Sequence, residues 1–137
     1  MVYNPGTIQP RPLRVLIADR LAGSADSLSA LLSEYGDFEV VGHAGTAIES
    51  VTLIEKLRPD AVLLDMEMPG ELFPYVLKLI KRDLQPTAVI VLIPYASCVL
   101  RERSLEAGAD HVCERTGDPE RLIRALLQLA AATQSLA

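Results

Sequence analysis

Two acidic residues in this chain each follow directly on a short apolar run. Asp19 comes after V-L-I-A at 15–18, and Asp65 comes after A-V-L-L at 61–64. Carboxylates at the ends of neighbouring buried strands repel each other, which destabilises a fold unless a cation or a proton lies between them. We therefore interpret Asp19 and Asp65 as parts of one site rather than as two separate turn caps.

A cation stands next to the first of these acids, because Arg20 follows Asp19 at once. The guanidinium could bridge Asp19 and Asp65 and neutralise both, or it could lie along the surface. We favour the bridge, since the two acids would otherwise face each other uncompensated. Glu67 could add a further acidic group to the pocket, although a side chain two residues after a strand end usually points to solvent.

Short apolar runs that suit β-strands are expected to position these acids. Such runs suit strands that are covered on both faces, as in a parallel sheet. They lie at Leu13–Ala18, Phe38–Val41, Ala61–Leu64, Ala88–Ile93 and His111–Cys113.

Helical patterns with readable ends lie between the runs. Ser24 opens the first helix, which Gly36 stops, and Thr46 with Glu49 forms a capping box for the second. Pro74 can begin the third helix and Ser97 can cap the fourth. Asp118 followed by proline opens the last helix. Five β–α units of this kind predict an α/β fold with a doubly wound sheet, whose ligand site lies beyond the carboxyl ends of the strands.

Composition narrows the class of protein. The 137 residues suit one domain, which we place at 13–133 between a flexible tail at 1–12 and a short tail at 134–137. The net charge of −5 argues against a nucleic-acid-binding surface. No apolar run is long enough for a membrane span, and no signal peptide is found, so we expect a cytoplasmic protein without a membrane partner.

The same segments resemble the receiver domain of two-component response regulators. The resemblance rests on R-V-L-I-A-D from Arg14, on F-E-V-V-G-H-A from Phe38, on R-P-D-A-V-L-L-D-M-E-M-P-G from Arg58 and on G-A-D-H-V from Gly108. It runs from Arg14 to the last helix. It implies a flavodoxin-like sheet of five parallel strands in the order 2-1-3-4-5, with five helices.

The resemblance also implies aspartyl-phosphate chemistry. In the family, the acid that ends the third strand accepts a phosphoryl group from a histidine kinase, and Asp65 matches that position. Two acids that end the first strand hold Mg²⁺. A hydroxyl residue and a lysine contact the phosphoryl group, and an aromatic residue on the fifth strand acts as a switch. This sequence departs from the pattern at four positions, which carry Arg20, Ile93, Arg115 and Val112 in place of the second acid, the hydroxyl, the lysine and the aromatic.

These departures bear on the metal and on the phosphoryl group. A guanidinium about 4 Å from Mg²⁺ adds roughly 8 kcal/mol of repulsion at an effective dielectric of 20, whereas millimolar affinity is worth only about 4 kcal/mol. Ile93 cannot donate to phosphoryl oxygen, and Val112 has no ring to rotate. We therefore expect no cofactor, with Mg²⁺ on Asp19 and Asp65 only if the site is functional.

Three functions compete. The favoured one is a non-enzymatic receiver that acts as an interaction module without phosphorylation, and that binds a histidine kinase or a downstream signalling protein. The first alternative is a functional receiver that is phosphorylated on Asp65. The second is a flavodoxin-like nucleotide binder or enzyme, but A-D-R-L-A-G-S-A after the first strand has no glycine-rich phosphate loop.

The last helix suggests where a partner could bind. Its apolar residues cover an arc wider than one sheet contact needs. We expect one row, which holds Ile123, Leu127 and Ala130, to be partly exposed and to form a homodimer or partner contact. The alternative is a purely structural role, in which the fourth helix or the N-terminal tail covers this row.

Three other reactive side chains are set aside. His43 and His111 lack ligand partners in the sequence and suit ordinary surface or half-buried positions. Cys113 has no base marked out near it, so a catalytic thiol is not expected there.

Overall fold

The computed structural model describes residues 11–67, 73–84 and 86–135. Strands and helices alternate along the chain: β1 Leu13–Ala18, α1 Ala22–Ser33, β2 Phe38–Ala44, α2 Ala47–Leu57, β3 Ala61–Asp65, α3 Phe73–Asp83, β4 Ala88–Ile93, α4 Cys98–Glu106, β5 His111–Glu114 and α5 Pro119–Ser135. The five strands are parallel and follow the order β2-β1-β3-β4-β5. The predicted fold class and strand order are therefore confirmed.

The core has two layers because successive residues of a strand point to opposite faces of the sheet. On β1, Leu16 and Ala18 pack with α2, α3 and α4, while Val15 and Ile17 pack with α1 and α5. Both faces are aliphatic, which explains why the strand sequences are apolar on successive residues. None of the described helices combines the length and the hydropathy of a membrane span.

Several predicted helix signals are found as hydrogen bonds. Thr46 Oγ1 accepts from the Glu49 amide at 3.1 Å, and Ser97 Oγ accepts from the Leu100 amide at 3.2 Å. Asp118 Oδ1 accepts from the Glu120 amide at 3.0 Å at the start of α5. These side chains satisfy amides that have no partner inside the first helical turn.

Strands β3 and β5 each extend one residue beyond the prediction, to Asp65 and Glu114, and two other boundaries differ more. Helix α1 begins at Ala22 rather than at Ser24, because the Asp19 carboxylate already holds the preceding turn through the Leu21 amide at 2.8 Å. Strand β2 continues beyond Val41 to Ala44, because its last residues pair with the end of β1.

The exposed apolar row predicted for the last helix is not found. Ile123 and Ala130 are buried among α1, the sheet and α5, and only Leu127 of the three is exposed. The error has a physical cause: α5 lies against both the sheet and α1, so its apolar arc is covered from two sides. The predicted interface at Ile123, Leu127 and Ala130 loses its basis.

The predicted tails fall largely outside the described residues. Residues 1–10 and 136–137 are not described, nor is the M-P-G segment at 68–70. Within the predicted tail, Arg11 donates two hydrogen bonds to Asp60, at 2.8 and 3.0 Å. The domain limits at 13 and 133 stay predictions.

Candidate functional site

The two acids meet at the carboxyl edge of the sheet. Asp19 follows β1, Asp65 ends β3, and these strands are neighbours, with Ala18 paired to Leu64. Both carboxylates are buried, with relative exposures of 0% for Asp19 and 1% for Asp65. The sequence-based expectation that they share one site is consistent with this placement.

Backbone amides fix one oxygen of each carboxylate. Asp19 Oδ1 accepts from the Leu21 amide at 2.8 Å, and Asp65 Oδ1 accepts from the Glu67 amide at 2.9 Å. Both bonds close tight turns in which the acid accepts from the residue two positions later. The second oxygen of each acid, Oδ2, is left for other partners.

Arg115 supplies that partner for both acids. Its Nη2 lies 2.6 Å from Asp19 Oδ2 and 2.9 Å from Asp65 Oδ2. The first contact is a charge-assisted hydrogen bond. The second contact is close enough for an ion pair but lacks hydrogen-bond geometry, so Asp65 Oδ2 has no hydrogen-bond partner among the described residues. Arg115 Nε likewise has no hydrogen-bond partner among them. The backbone amide of Arg115 donates to the Ile93 carbonyl at 2.8 Å, which holds this residue at the sheet edge.

Arg20 does not form the predicted bridge. Its Nη2 pairs with Glu67 Oε2 at 3.0 Å, and both side chains are about two-fifths exposed, at 42% and 41%. The prediction was wrong because of desolvation: both buried acids already contact Arg115, and burying a second guanidinium would remove its charge from water at a high cost in free energy. Glu67 consequently belongs to the rim of the site and not to its acidic floor.

The other altered positions are core residues. Ile93 is fully buried and Val112 is 7% exposed, and both pack on the α2–α3–α4 side of the sheet. Neither side chain carries a polar atom.

His43 is exposed, as expected for an ordinary surface residue, and its ring also contacts the turn that carries Asp19. Its Nε2 lies 2.9 Å from the Asp19 carbonyl oxygen, so the imidazole supports the turn that carries the acid. The predicted strand order could have indicated this contact, because β2 lies beside β1 and His43 pairs with Ile17. Cys113 is buried on β5, and this burial raises the pKa of its thiol. A raised pKa disfavours the thiolate that a nucleophile requires.

The donor set does not fit a divalent metal well. Asp19 and Asp65 are the two buried carboxylates of the site, and one guanidinium already contacts an oxygen of each. Among the described residues, no three His, Cys, Asp or Glu side chains are grouped as metal ligands. The buried part of the site, with two carboxylates and one guanidinium, keeps one net negative charge. Mg²⁺ needs several oxygen ligands in an octahedral shell, so it would first have to displace Arg115.

Comparison with known proteins identifies the family. The sequence model of the response regulator receiver domain family matches residues 15–127 of this chain. The chain belongs to the response regulator receiver domain family. A solved CheY-like receiver domain protein from Methanospirillum hungatei superimposes with a TM-score of 0.79 and 26% identity, over 92% of this chain and 99% of that one.

Curated relatives of this receiver are longer proteins. A protein-glutamate methylesterase/protein-glutamine glutaminase of Caulobacter vibrioides is 32% identical over 87% of this chain, which spans 35% of that relative. An uncharacterized transcriptional regulatory protein of Bacillus subtilis is 30% identical over 82% of this chain, which spans 52% of that relative. The receiver thus covers about a third to a half of these proteins, in which it is one part of a larger chain.

A solved complex shows one partner of such a domain. The structure of the P1 domain of CheA3 with CheY6 from R. sphaeroides matches with a TM-score of 0.75 and 26% identity, over 88% of this chain and 98% of that one. Receiver domains are signalling modules that interact with histidine kinases or phosphotransfer proteins, and the two-component assignment of this chain is therefore confirmed.

Proposed function

We propose that this receiver is a protein interaction module that works without phosphorylation of Asp65. The observation that carries the proposal is the position of Arg115, whose Nη2 lies within 2.6 and 2.9 Å of Asp19 and Asp65. A guanidinium here performs the charge compensation that two buried acids need. Arg115 thereby offsets one of the two buried negative charges without an added ion.

Charge and chemistry around Asp65 support the same conclusion. Phosphoryl transfer depends on cations that stabilise the charge of the transferring group, and in this fold a divalent ion usually supplies part of that charge. Arg115 already contacts both potential metal ligands, and Arg20 adds a second positive side chain at the rim. Ile93 offers no donor for phosphoryl oxygen. Arg115 and Arg20 thus oppose binding of the ion, and Ile93 opposes recognition of the phosphoryl oxygens.

The partner in this proposal is a signalling protein. CheY6 of R. sphaeroides forms a complex with the P1 domain of CheA3, and we infer a kinase or downstream protein of comparable type for this chain. Docking of this kind would persist in the absence of phosphoryl transfer. The output would then depend on the abundance of the partner rather than on the phosphorylation state of Asp65.

A second candidate function is a receiver that is phosphorylated on Asp65. One observation favours it: Asp65 Oδ2 has no hydrogen-bond partner among the described residues, so this oxygen could attack a phosphoryl donor. In that reaction the Oδ2–P bond forms, and the bond from phosphorus to the donor atom breaks. Rotation of Arg115 away from Asp65 would have to come first.

Intact-mass spectrometry separates the two candidates. The chain is incubated with acetyl phosphate and Mg²⁺, and Asp65→Asn serves as the matched control. We expect the mass of the native chain to stay unchanged. Accumulation of one phosphoryl group on the native chain, absent from Asp65→Asn, would overturn the proposal in favour of the second candidate.

A further inference from the structure

Helices α2 and α3 form a surface that the phosphorylation site does not involve. Each follows a strand of the parallel sheet and returns on the same face, so the two helices run parallel, side by side. Between their first halves lies a shallow, almost entirely apolar groove of about 290 Å³. Its lining residues are Ala47, Ile48, Val51, Thr52, Tyr75, Val76 and Leu79.

Large apolar side chains stand at the amino-terminal end of both helices. Ile48 on α2 is 76% exposed and Tyr75 on α3 is 71% exposed, and both line the groove. They lie beside each other rather than scattered, and neighbouring apolar side chains exposed to this degree on a monomer mark a contact surface.

Two residues of opposite charge lie toward the carboxyl-terminal ends of α2 and α3, on the faces that carry Ile48 and Tyr75. Glu55 lies seven residues after Ile48, and Arg82 lies seven residues after Tyr75, so each is about 10.5 Å along its helix from the apolar side chain. A spacing of seven residues keeps all members of a row on one face of a helix. Glu55 and Arg82 are both exposed.

This arrangement is complementary to itself. A two-fold axis parallel to the helices, placed between them, brings α2 of one copy onto α3 of the other with both chains running in the same direction. Ile48 then meets Tyr75 of the second copy at one end. Glu55 meets Arg82 of the second copy at the other end, and symmetry repeats both contacts.

We propose that a second copy of this chain docks on the α2–α3 face in this way. Within one chain, Arg82 now pairs with its neighbour Asp83 through contacts of 2.8 and 3.0 Å, in a position where both side chains are exposed. Exposed pairs of this kind contribute little stability, so the guanidinium is available to a partner carboxylate. Each helix has 11 residues. The face is consequently smaller than a standard interface, and we expect a weak dimer with a Kd above about 1 μM.

Charge reversal tests both the face and its symmetry. Sedimentation equilibrium up to millimolar concentration should show a native dimer, and Glu55→Arg and Arg82→Glu should each weaken it about tenfold, because each places like charges opposite each other twice. An equimolar mixture of the two variants should recover the native Kd. The reason is that a dimer of one Glu55→Arg chain and one Arg82→Glu chain again places an arginine opposite a glutamate at both contacts.

Exposed apolar residues supply the matched pair of controls. Ile48→Glu should abolish the dimer, whereas Val99→Glu on α4, which is 64% exposed in the native chain, should leave it unchanged. Circular dichroism of each variant verifies the fold. A native chain that stays monomeric, a dimer indifferent to the Glu55 and Arg82 reversals, or a mixture without recovery would each overturn the proposal.

Discussion

Arg115 Nη2 lies 2.6 Å from Asp19 Oδ2, and this contact joins the fifth strand to the first across the carboxyl edge of the sheet. The carboxylate is fully buried and the guanidinium is 18% exposed. The two residues are 96 positions apart in sequence. The pair therefore ties the ends of the fold together while it offsets one of the two negative charges on the floor of the site.

Removal of Arg115 should destabilise the protein. Arg115→Ala leaves two buried carboxylates without their cation, and breaking a buried pair in this way costs about 3–5 kcal/mol. We expect a loss of that size in the free energy of unfolding measured in urea. Arg115→Lys keeps the charge and should lose less.

Arg20→Ala is the control for that measurement. Arg20 pairs with Glu67 at the exposed rim, where an ion pair contributes about 0–1 kcal/mol. Equal losses from Arg115→Ala and Arg20→Ala would contradict the assignment of Arg115, and not Arg20, as the compensating cation.

Much of this fold could be predicted from the sequence, for a physical reason. The strand residues are apolar on successive positions because both faces of the sheet are covered, and caps such as Thr46 and Ser97 carry short-range signals. The end of β2 was harder to predict from the sequence, because the pairing of Gly42 and His43 with β1 decides where that strand ends.

The site could be predicted only in part. Position in the strands was sufficient to bring Asp19 and Asp65 together. The choice between Arg20 and Arg115 was not, because it depends on which guanidinium reaches buried oxygens and which stays in water. Likewise, the apolar arc of α5 gave no indication that α1 would cover Ile123.

Replacing Arg20 should change metal affinity. Arg20→Asp removes a cation and returns the acid that the family carries there, so the site would hold three carboxylates toward one guanidinium. We expect isothermal titration calorimetry with Mg²⁺ to show measurable binding by Arg20→Asp and none by the native chain at millimolar concentration. Equal affinities for the two chains would show that Arg20 has no part in metal discrimination.

Ile93→Thr should lower stability on its own. Ile93 is fully buried in the aliphatic core, and the substitution replaces a packed ethyl group with a hydroxyl, at a cost of about 1–3 kcal/mol. Thermal unfolding followed by circular dichroism measures the loss. An unchanged midpoint would mean that the hydroxyl finds a partner at the sheet edge.

Combining two substitutions should increase phosphorylation of Asp65. Arg20→Asp favours the ion and Ile93→Thr supplies the hydroxyl, and the two gains should add although Arg115 still has to move away from Asp65. With acetyl phosphate and Mg²⁺, we expect the double variant to gain more phosphoryl group by intact mass than either single variant. If the single variant Arg20→Asp performed as well, Ile93 would not hinder the reaction.

The two cysteines should differ in reactivity. Cys98 is exposed and Cys113 is buried, and burial raises the pKa of the Cys113 thiol, so it stays protonated to higher pH than an ordinary thiol. Near pH 8, iodoacetamide should modify Cys98 in the native chain and reach Cys113 only after unfolding in urea. Rapid native modification of Cys113 would contradict its position on β5 beneath α5.

The central claim is that Arg115 occupies the place of a metal between Asp19 and Asp65. A crystal structure determined from crystals soaked in millimolar Mg²⁺ tests it most directly. The account predicts that Arg115 Nη2 still contacts both Oδ2 atoms and that no octahedral ion lies on Asp65. An octahedral Mg²⁺ bound to Asp19 and Asp65, with the Arg115 guanidinium displaced, would contradict it.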